Sequence, residues 1–314
     1  MATDGPAWRV AVLGPGGIGG LLGALLARRG DEVTCIAPPR TAAHLREHGL
    51  ELRSASLGSF RVPVRAATEL DGPVDVCFVT VKATRLAEAV AAAPASRLGD
   101  GLVMPFQNGI DHVAWLRQRH PADRVVAGTI AIESERVAPG VIEHHSPFAR
   151  VELARGAPAV RRRVEALAER LGAVGLDVRL RDDELAMLWA KLLVLAPIAL
   201  VGTHEGAPLG EVRERRGDDL AAVVDEIVET ARAADGVELD GATTLRLIQA
   251  APASMRSSML RDAEAGNPLE VDAIGGSILR AAARAGVPVP VVTKLVEDLR
   301  DAGGRRPPAS PPKG

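Results

Sequence analysis

In the first part of the chain, short apolar runs alternate with segments that have the hydrophobic spacing of helices. The run at residues 74–81 is of the continuous apolar kind that is buried on both faces of a sheet. Strands that alternate with helices predict a doubly wound parallel sheet. The predicted strands are 8–13, 33–37, 74–81, 101–105 and 124–132, with a later pair at 141–145 and 150–154, and the predicted helices are 21–29, 42–48, 86–93 and 110–118.

From about Leu185 onward the pattern changes, and every periodic segment has helical spacing. The run 185–201 is apolar for 17 residues but carries Lys191 and Pro197. A membrane span needs about 20 apolar residues, so we expect a buried helix. The remaining predicted helices are 212–235, 241–250, 254–265, 271–286 and 289–301.

These patterns predict an α/β domain over residues 1–183 and an all-helical domain over 184–302. The last residues, 303–314, are rich in proline and glycine and predict a disordered tail. A chain of 314 residues exceeds the usual limit for one hydrophobic core, about 250–300 residues, which also favours two domains.

Composition excludes some classes of protein. A net charge of −2 gives no reason to expect a nucleic-acid or membrane partner. Cys35 and Cys77 lie in apolar strand-like runs and are expected to be small core residues. The N-terminus lacks the features of an export signal, so we expect a cytoplasmic protein. The chain contains no tyrosine, which excludes the short-chain dehydrogenases and their Tyr–Lys pair.

A glycine-rich motif follows the first predicted strand and opens the first helix. It fits G-x-G-x-x-G, in which the first glycine permits a tight turn, the second lets the backbone approach a pyrophosphate, and the third allows close helix–strand packing. The alternative is a glycine-rich turn that binds nothing. In this context we predict a Rossmann-type dinucleotide-binding loop formed by Gly14, Pro15, Gly16, Gly17, Ile18 and Gly19.

The choice between NAD and NADP is normally made by a residue after the second strand. An acidic residue there binds the ribose of NAD, whereas an arginine accommodates the 2′-phosphate of NADP. No acidic residue is available in this segment, and Arg40 follows directly. We therefore predict NADPH, although Arg40 could instead be an ordinary solvated arginine.

The segment 257–276 has a distinctive sequence, SSMLRDAEAGNPLEVDAIGG. It resembles the ketopantoate reductase (2-dehydropantoate 2-reductase) family, whose signature is SSM-x-x-D followed by Glu-x-Asp-x-x-x-G. The V-K-A at 81–83 and the Q-N-G at 107–109 also match, and Lys191 stands where the family carries its catalytic lysine. The resemblance covers nearly the whole chain.

The resemblance implies a role for each matching residue. Lys191 would be the general acid, and its apolar neighbours should lower its pKa by desolvation. Glu270 would hold the lysine ammonium or bind substrate, and Asn108 would contact the reacting groups. Ser258 would bind a substrate carboxylate, and Lys82 would lie near the cofactor or the substrate's acid group. Lys82, Asn108 and Glu270 are also expected among the cofactor contacts.

Each of these residues has an ordinary structural alternative. Lys191 could extend its ammonium to water, and Glu270 could complement a helix dipole. Ser258 could be a surface hydroxyl, and Asn108 could serve only the Asn-Gly turn. The adjacent His144 and His145 are expected to face opposite sides of a strand rather than to bind a metal.

The chain departs from the family where the family carries asparagines. Leu195 and Ala199 stand at two such positions on the lysine helix, and we expect Leu195 in the substrate pocket. Further replacements are found at 209–212 and at Met255, and Pro38 replaces the arginine after the second strand. A pocket without those amides should lose its preference for a hydroxylated substrate. We predict that ketopantoate is not the best substrate.

Three functions therefore remain. The first is an NADPH-dependent reductase of a 2-keto acid or a related carbonyl or imine, in which an apolar substrate from a specialised pathway is one possibility. The second is a β-hydroxyacid-type dehydrogenase, which the SSM-x-x-D and Glu-x-Asp motifs disfavour. The third is a non-catalytic NADP-binding sensor. The expected partners are a small-molecule substrate and, through the helical domain, a second copy of the chain.

Overall fold

The predicted strands and helices occur in the expected order along the chain, and further elements, including α4 and α6, lie between them. The computed structural model describes residues 6–304. The strands are β1 (Arg9–Leu13), β2 (Glu32–Ile36), β3 (Leu50–Ser54), β4 (Phe60–Val62), β5 (Arg65–Ala67), β6 (Val76–Val79), β7 (Leu102–Pro105), β8 (Gly128–Ala131), β9 (Ser134–Ala138), β10 (Val141–His144), β11 (Arg150–Ala154) and β12 (Asp177–Arg181). The helices are α1 (Gly17–Arg29), α2 (Pro39–His48), α3 (Leu86–Ala91), α4 (Ala95–Leu98), α5 (Asp111–Arg117), α6 (Arg161–Ala173), α7 (Glu184–Glu205), α8 (Leu209–Asp235), α9 (Gly241–Ala250), α10 (Ser258–Glu264), α11 (Ser277–Ala285) and α12 (Pro290–Gly304).

The chain divides into two compact units. The first contains the residues up to 107 together with 112–187, and the second contains 108–111 and the residues from 188 onward. The sequence alone placed 108–111 in the first domain, because this segment directly follows a strand of the sheet. Helix α12 continues to Gly304, two residues into the predicted tail. The rest of that tail, 305–314, lies outside the described residues.

A five-stranded parallel sheet forms the centre of the first unit, in the order β5-β2-β1-β6-β7. Val10 in β1 is in register with Val33 in β2 and with Val76 in β6. Cys35 and Cys77 are buried in these strands, and burial raises the pKa of each thiol to about 12. The predicted doubly wound sheet and the core position of both cysteines are confirmed.

Two smaller sheets complete the first unit, in the orders β4-β3-β10-β9 and β12-β11-β8. The runs predicted as a later pair, β10 and β11, are strands but do not pair with each other. Instead, β10 pairs with β3 and β9, and β11 pairs with β12 and β8. Sequence analysis missed β3, β4, β5, β9 and β12 because they are short and partly polar.

The two adjacent histidines face opposite ways, as predicted. His144 is buried and hydrogen-bonded to the hydroxyls of Ser54 (2.9 Å) and Ser146 (3.0 Å), whereas His145 is exposed. Burial lowers the pKa of His144. The described residues contain no group of three side chains suited to hold a metal. His144 therefore links the end of β3 to the loop after β10 through its two ring nitrogens.

The regular elements from residue 184 to 304 are all helices, as predicted. Within the described residues, α7 is the one helix that is long and apolar enough to cross a membrane, and most of its apolar stretch is buried in the protein. Trp189 on this helix is fully buried and donates a hydrogen bond from Nε1 to Asp235, 2.7 Å away. Pro197 lies inside α7. These features agree with a core helix.

A buried ion pair joins α6 to the start of the first unit. Arg170 on α6 pairs with Asp31, which precedes β2, and also donates to the backbone oxygen of Pro6 at 2.9 Å. Burial lowers the pKa of Arg170, although the charge of Asp31 opposes this effect. Asp31 also accepts the backbone N–H of Trp8 at 3.0 Å. The pair therefore connects three segments that are distant in sequence.

Replacing Arg170 by methionine should leave the Asp31 carboxylate buried without its main partner. We expect the free energy of unfolding to fall by about 3 kcal/mol, as when one member of a buried ion pair is removed. The measurement is urea unfolding followed by circular dichroism. Adding Asp31→Asn should recover part of the loss, because the uncompensated charge is then removed. An unchanged urea midpoint in Arg170→Met would contradict this account.

Candidate active site

The glycine-rich motif forms a tight turn between β1 and α1. Gly14 has a φ of +84°, a conformation that favours glycine, and its N–H donates to the oxygen of Ile36 at 3.1 Å. A Cβ at this position would lie 2.5 Å from Cγ1 of Val81. The loop after β1 therefore lies directly against the segment after β6.

The other glycines of the loop differ in what surrounds them. A Cβ added at Gly17 or Gly19 would come within 3.0 Å of neighbouring atoms, including the backbone oxygen of Ser134 and the hydroxyl of Thr80 respectively. A Cβ at Gly16 would meet nothing within 4 Å. Gly16 also precedes α1 without a side-chain cap. Open space beside a helix N-terminus with uncapped N–H groups fits the pyrophosphate of a dinucleotide.

Thr80 and Lys82, in the segment that follows β6, lie beside this loop. The Thr80 hydroxyl donates to the backbone oxygens of Leu13 (3.0 Å) and Gly14 (2.9 Å), which fixes the turn. Lys82 is two residues further on and is exposed. Because Val81 packs on Gly14, the next residue, Lys82, lies near the predicted cofactor loop.

Arg40 lies in the first turn of α2, soon after β2 ends. Its side chain is exposed and makes no hydrogen bond or ion pair with another described residue. The residues between β2 and Arg40 are Ala37, Pro38 and Pro39, so no carboxylate is present there. The guanidinium is therefore available to bind a 2′-phosphate.

Lys191 lies on α7 in the second unit and is half-buried. Its neighbours Trp189, Leu192 and Leu193 are buried apolar residues. Desolvation lowers the pKa of Lys191 to about 8, and the negative charge of Glu270 partly opposes this fall. The lowered pKa agrees with the prediction made from the apolar sequence around the lysine.

Glu270 and Asn108 come together in the same unit. Glu270 is buried, and its Oε2 accepts a hydrogen bond of 3.1 Å from Nδ2 of Asn108. These residues are 162 positions apart in the chain. The structure therefore brings three of the predicted site residues, Lys191, Glu270 and Asn108, into one electrostatic cluster.

The backbone after Asn108 lies directly on a π-helical turn, Asp272–Gly276. Gly109 has a φ of +85°, and a Cβ there would come within 3.0 Å of the backbone oxygen of Ala273. Such turns are uncommon and often occur at functional sites. The close approach explains why a glycine follows Asn108.

The two serines of the SSM motif have different environments. Ser257 is buried and caps α10, where its hydroxyl accepts the N–H of Leu260 at 3.0 Å. Ser258, the predicted substrate ligand, is exposed in the first turn. Met259 is a core residue, and Asp262 accepts a bond from Nδ2 of Asn267 at 3.3 Å. Much of this motif therefore serves the local fold.

The apolar replacements of family asparagines also divide into two groups. Ala199 and Leu209 are buried in the core of the second unit. Leu195 is half-buried one helical turn after Lys191, and Met255 is also half-buried. Of the two replaced positions on α7, Leu195 is therefore the one that remains partly exposed near Lys191.

Sequence reasoning missed several residues that shape these clusters. Thr80 fixes the cofactor loop, and the hydroxyl of Ser134 donates to the backbone oxygen of Gly17 at 3.0 Å. Arg280 donates from Nε to Asp111, 2.8 Å away, at the end of the segment that carries Asn108. The sequence contained no signal for these contacts, because each joins segments that are far apart in the chain.

Two family profiles match the chain. The profile of the family described as "Ketopantoate reductase PanE/ApbA" matches residues 10–157, and that of its C-terminal domain matches residues 183–302. The chain is 32% identical over 308 residues to a 2-dehydropantoate 2-reductase of Mycobacterium tuberculosis. That alignment covers 93% of this chain and 97% of the relative.

Solved structures show the same fold. A ketopantoate reductase from Ralstonia eutropha matches with a TM-score of 0.85 and 27% identity, over 95% of this chain and 99% of that one. D-mandelate dehydrogenase with NADH and anilino(oxo)acetate matches with a TM-score of 0.87 and 21% identity, over 94% and 98% of the two chains. The chain therefore belongs to the ketopantoate reductase family of oxidoreductases.

Proposed function

We propose that this chain is an NADPH-dependent reductase of the carbonyl group of a 2-keto acid or a related substrate, with Lys191 as the general acid. The observation that carries the proposal is the cluster of Lys191, Glu270 and Asn108 in the second unit. A bound reduced nicotinamide supplies the hydride that reduces the carbonyl carbon.

The chain's own contribution is a proton for the carbonyl oxygen. As the carbon accepts hydride, negative charge develops on the oxygen, and the Lys191 ammonium stabilises that charge and then donates a proton from Nζ. With a pKa of about 8, Lys191 is a stronger acid than an ordinary lysine, yet it remains roughly ten-to-one protonated at pH 7. The neutral amine is protonated again from water.

Glu270 and Asn108 keep the lysine in its active state. The negative charge of Glu270 raises the pKa of Lys191 against desolvation, and Nδ2 of Asn108 holds the carboxylate by a hydrogen bond. Ser258 is proposed to bind the substrate carboxylate, and Lys82 is proposed to contact the cofactor, since both are exposed and have donors for an anion.

The cofactor preference rests on Arg40. An exposed guanidinium without a protein partner among the described residues can form two parallel hydrogen bonds to a phosphate. The absence of a carboxylate at 37–39 removes the usual ligand for the ribose of NAD. We therefore propose NADPH as the preferred electron donor.

The substrate is proposed to carry an apolar side chain. Leu195 offers no hydrogen bond one turn away from Lys191, so a substrate hydroxyl would lose its partner there. An apolar group at that position would instead be desolvated against leucine. D-mandelate dehydrogenase, which has this fold, binds anilino(oxo)acetate, a ligand with an aryl group.

The activity should depend on protonated Lys191. The value of kcat/KM for NADPH-dependent reduction, measured against a panel of 2-keto acids, should fall as pH rises through about 8, because the ammonium is lost above its pKa. Lys191→Met should lower kcat by about 100-fold or more while NADPH binding, followed by fluorescence, is retained. Intact function in Lys191→Met would favour the sensor over the reductase.

Arg40 should decide cofactor preference. Arg40→Ala should lower kcat/KM for NADPH by about tenfold and leave the value for NADH unchanged, because only the 2′-phosphate loses a partner. Arg46→Ala, a change of the same kind on the same helix, serves as the control. Equal losses with both cofactors would show that Arg40 does not read the 2′-phosphate.

Leu195 should determine substrate preference. Leu195→Asn should raise kcat/KM for ketopantoate by about tenfold and lower it for an apolar 2-keto acid such as phenylglyoxylate. Ala199 is left unchanged, since it is fully buried and an amide there would have to be desolvated. Leu247→Asn on exposed α9 is the matched control. No gain on ketopantoate would place the specificity difference elsewhere.

A further inference from the structure

The segment 108–111 contacts the segment 270–280 at three successive points. Nδ2 of Asn108 donates to Glu270, and Gly109 lies on the backbone oxygen of Ala273. At the third point, Nε of Arg280 on α11 donates to Oδ2 of Asp111 at 2.8 Å. The first contact joins an amide to a carboxylate, and the second is between backbone segments. The third is an ion pair between two charged side chains.

The same guanidinium also binds Asp272, two residues after Glu270. Its Nη1 donates to both carboxylate oxygens of Asp272, at 3.1 and 3.3 Å, and its Nη2 donates to the backbone oxygen at 3.0 Å. Arg300 donates to Asp272 as well, at 2.7 Å. A planar guanidinium directs donors at the carboxylates of both Asp111 and Asp272, and a lysine ammonium cannot reproduce this arrangement.

We propose that Arg280 is a positioning residue that, by joining Asp111 to Asp272, fixes Asn108 against Glu270 and holds the Glu270 carboxylate where its charge acts on Lys191. The inference rests on the function proposed above for Lys191. Arg280 itself lies outside the cluster of Lys191, Glu270 and Asn108. It acts through the segments that carry Asp111 and Asp272, which it connects.

The ion pairs suit positioning better than stabilisation of the whole unit. The side chains of Arg280, Asp111 and Asp272 are 46%, 41% and 68% exposed. Ion pairs of this exposure contribute little to the free energy of folding. Loss of Arg280 should therefore leave the unit folded. The segment 108–111 would then be held by the hydrogen bond from Asn108 to Glu270 and by the contact of Gly109 with Ala273.

The test compares Arg280→Met with Arg284→Met. Arg284 lies on the same helix with similar exposure and reaches Asp235 at 3.8 Å, so it controls for the loss of a surface arginine. Hydrogen exchange should become faster in Arg280→Met at the amides of 108–112 and 270–276, and remain as in the wild type in Arg284→Met.

Kinetics provide the second measurement. Arg280→Met should lower kcat about tenfold, as expected for a slightly misplaced catalytic group, with KM for NADPH unchanged. The alkaline limb of the pH profile should move down by roughly half a pH unit, because Lys191 loses part of the effect of Glu270. Arg280→Lys should restore part of kcat, and Arg300→Met, which keeps the bridge to Asp111, should have a smaller effect.

The outcomes separate this inference from the proposed function. If the wild-type protein reduces no carbonyl substrate, the proposed function fails, and exchange at 108–112 still decides whether Arg280 holds that segment. If the wild type is active but Arg280→Met matches Arg284→Met in exchange and in pH profile, the positioning role is wrong. A lower melting temperature with an unmoved alkaline limb would likewise reduce Arg280 to a structural residue.

Discussion

The chemistry proposed for this protein depends on one interaction, that of the Lys191 ammonium with its apolar surroundings on α7. Desolvation disfavours the charge of Lys191, and a carboxylate on another segment restores part of it. Neither effect alone would give a useful acid, because an isolated buried lysine would be neutral and a fully solvated one too weak. The balance gives Lys191 a pKa of about 8, which suits the general acid proposed for it near neutral pH.

That balance requires the carboxylate to be held in place. Glu270 is fixed by Asn108, and both lie on segments that contact each other along the π-helical turn and the charges around Arg280. The segment 108–111 leaves the sheet of the first unit and becomes part of the second. The segment 108–111 thus contributes Asn108 to the cluster that it forms with Lys191 and Glu270.

The second constraint on the structure is the close packing of one backbone segment against another. At Gly17 and Gly109 a side chain would collide with a backbone oxygen of another segment, and at Gly14 and Gly109 the backbone has a positive φ. These glycines permit approaches that other residues would prevent. Gly16 differs, because the space that it leaves is open. Glycine therefore serves close packing at Gly14, Gly17 and Gly109 and leaves open space at Gly16.

The sequence by itself determined the periodicity of the elements, and with it the parallel sheet and the helical second unit. It also determined the family, since the glycine loop and the motifs around Lys191 and Glu270 lie in the expected order. The lowered pKa of Lys191 was foreseeable because its cause, a run of apolar neighbours, is local.

Only the tertiary structure decided which of these residues meet. It paired β10 and β11 with other strands, and it assigned residues 108–111 to the second unit. It also separated Leu195, which remains partly exposed, from Ala199, which is core. The bridge from Arg280 to Asp111 and Asp272 joins charges up to 169 residues apart. Periodicity reports how each element divides its residues between core and solvent, whereas contacts between distant segments depend on how the elements pack.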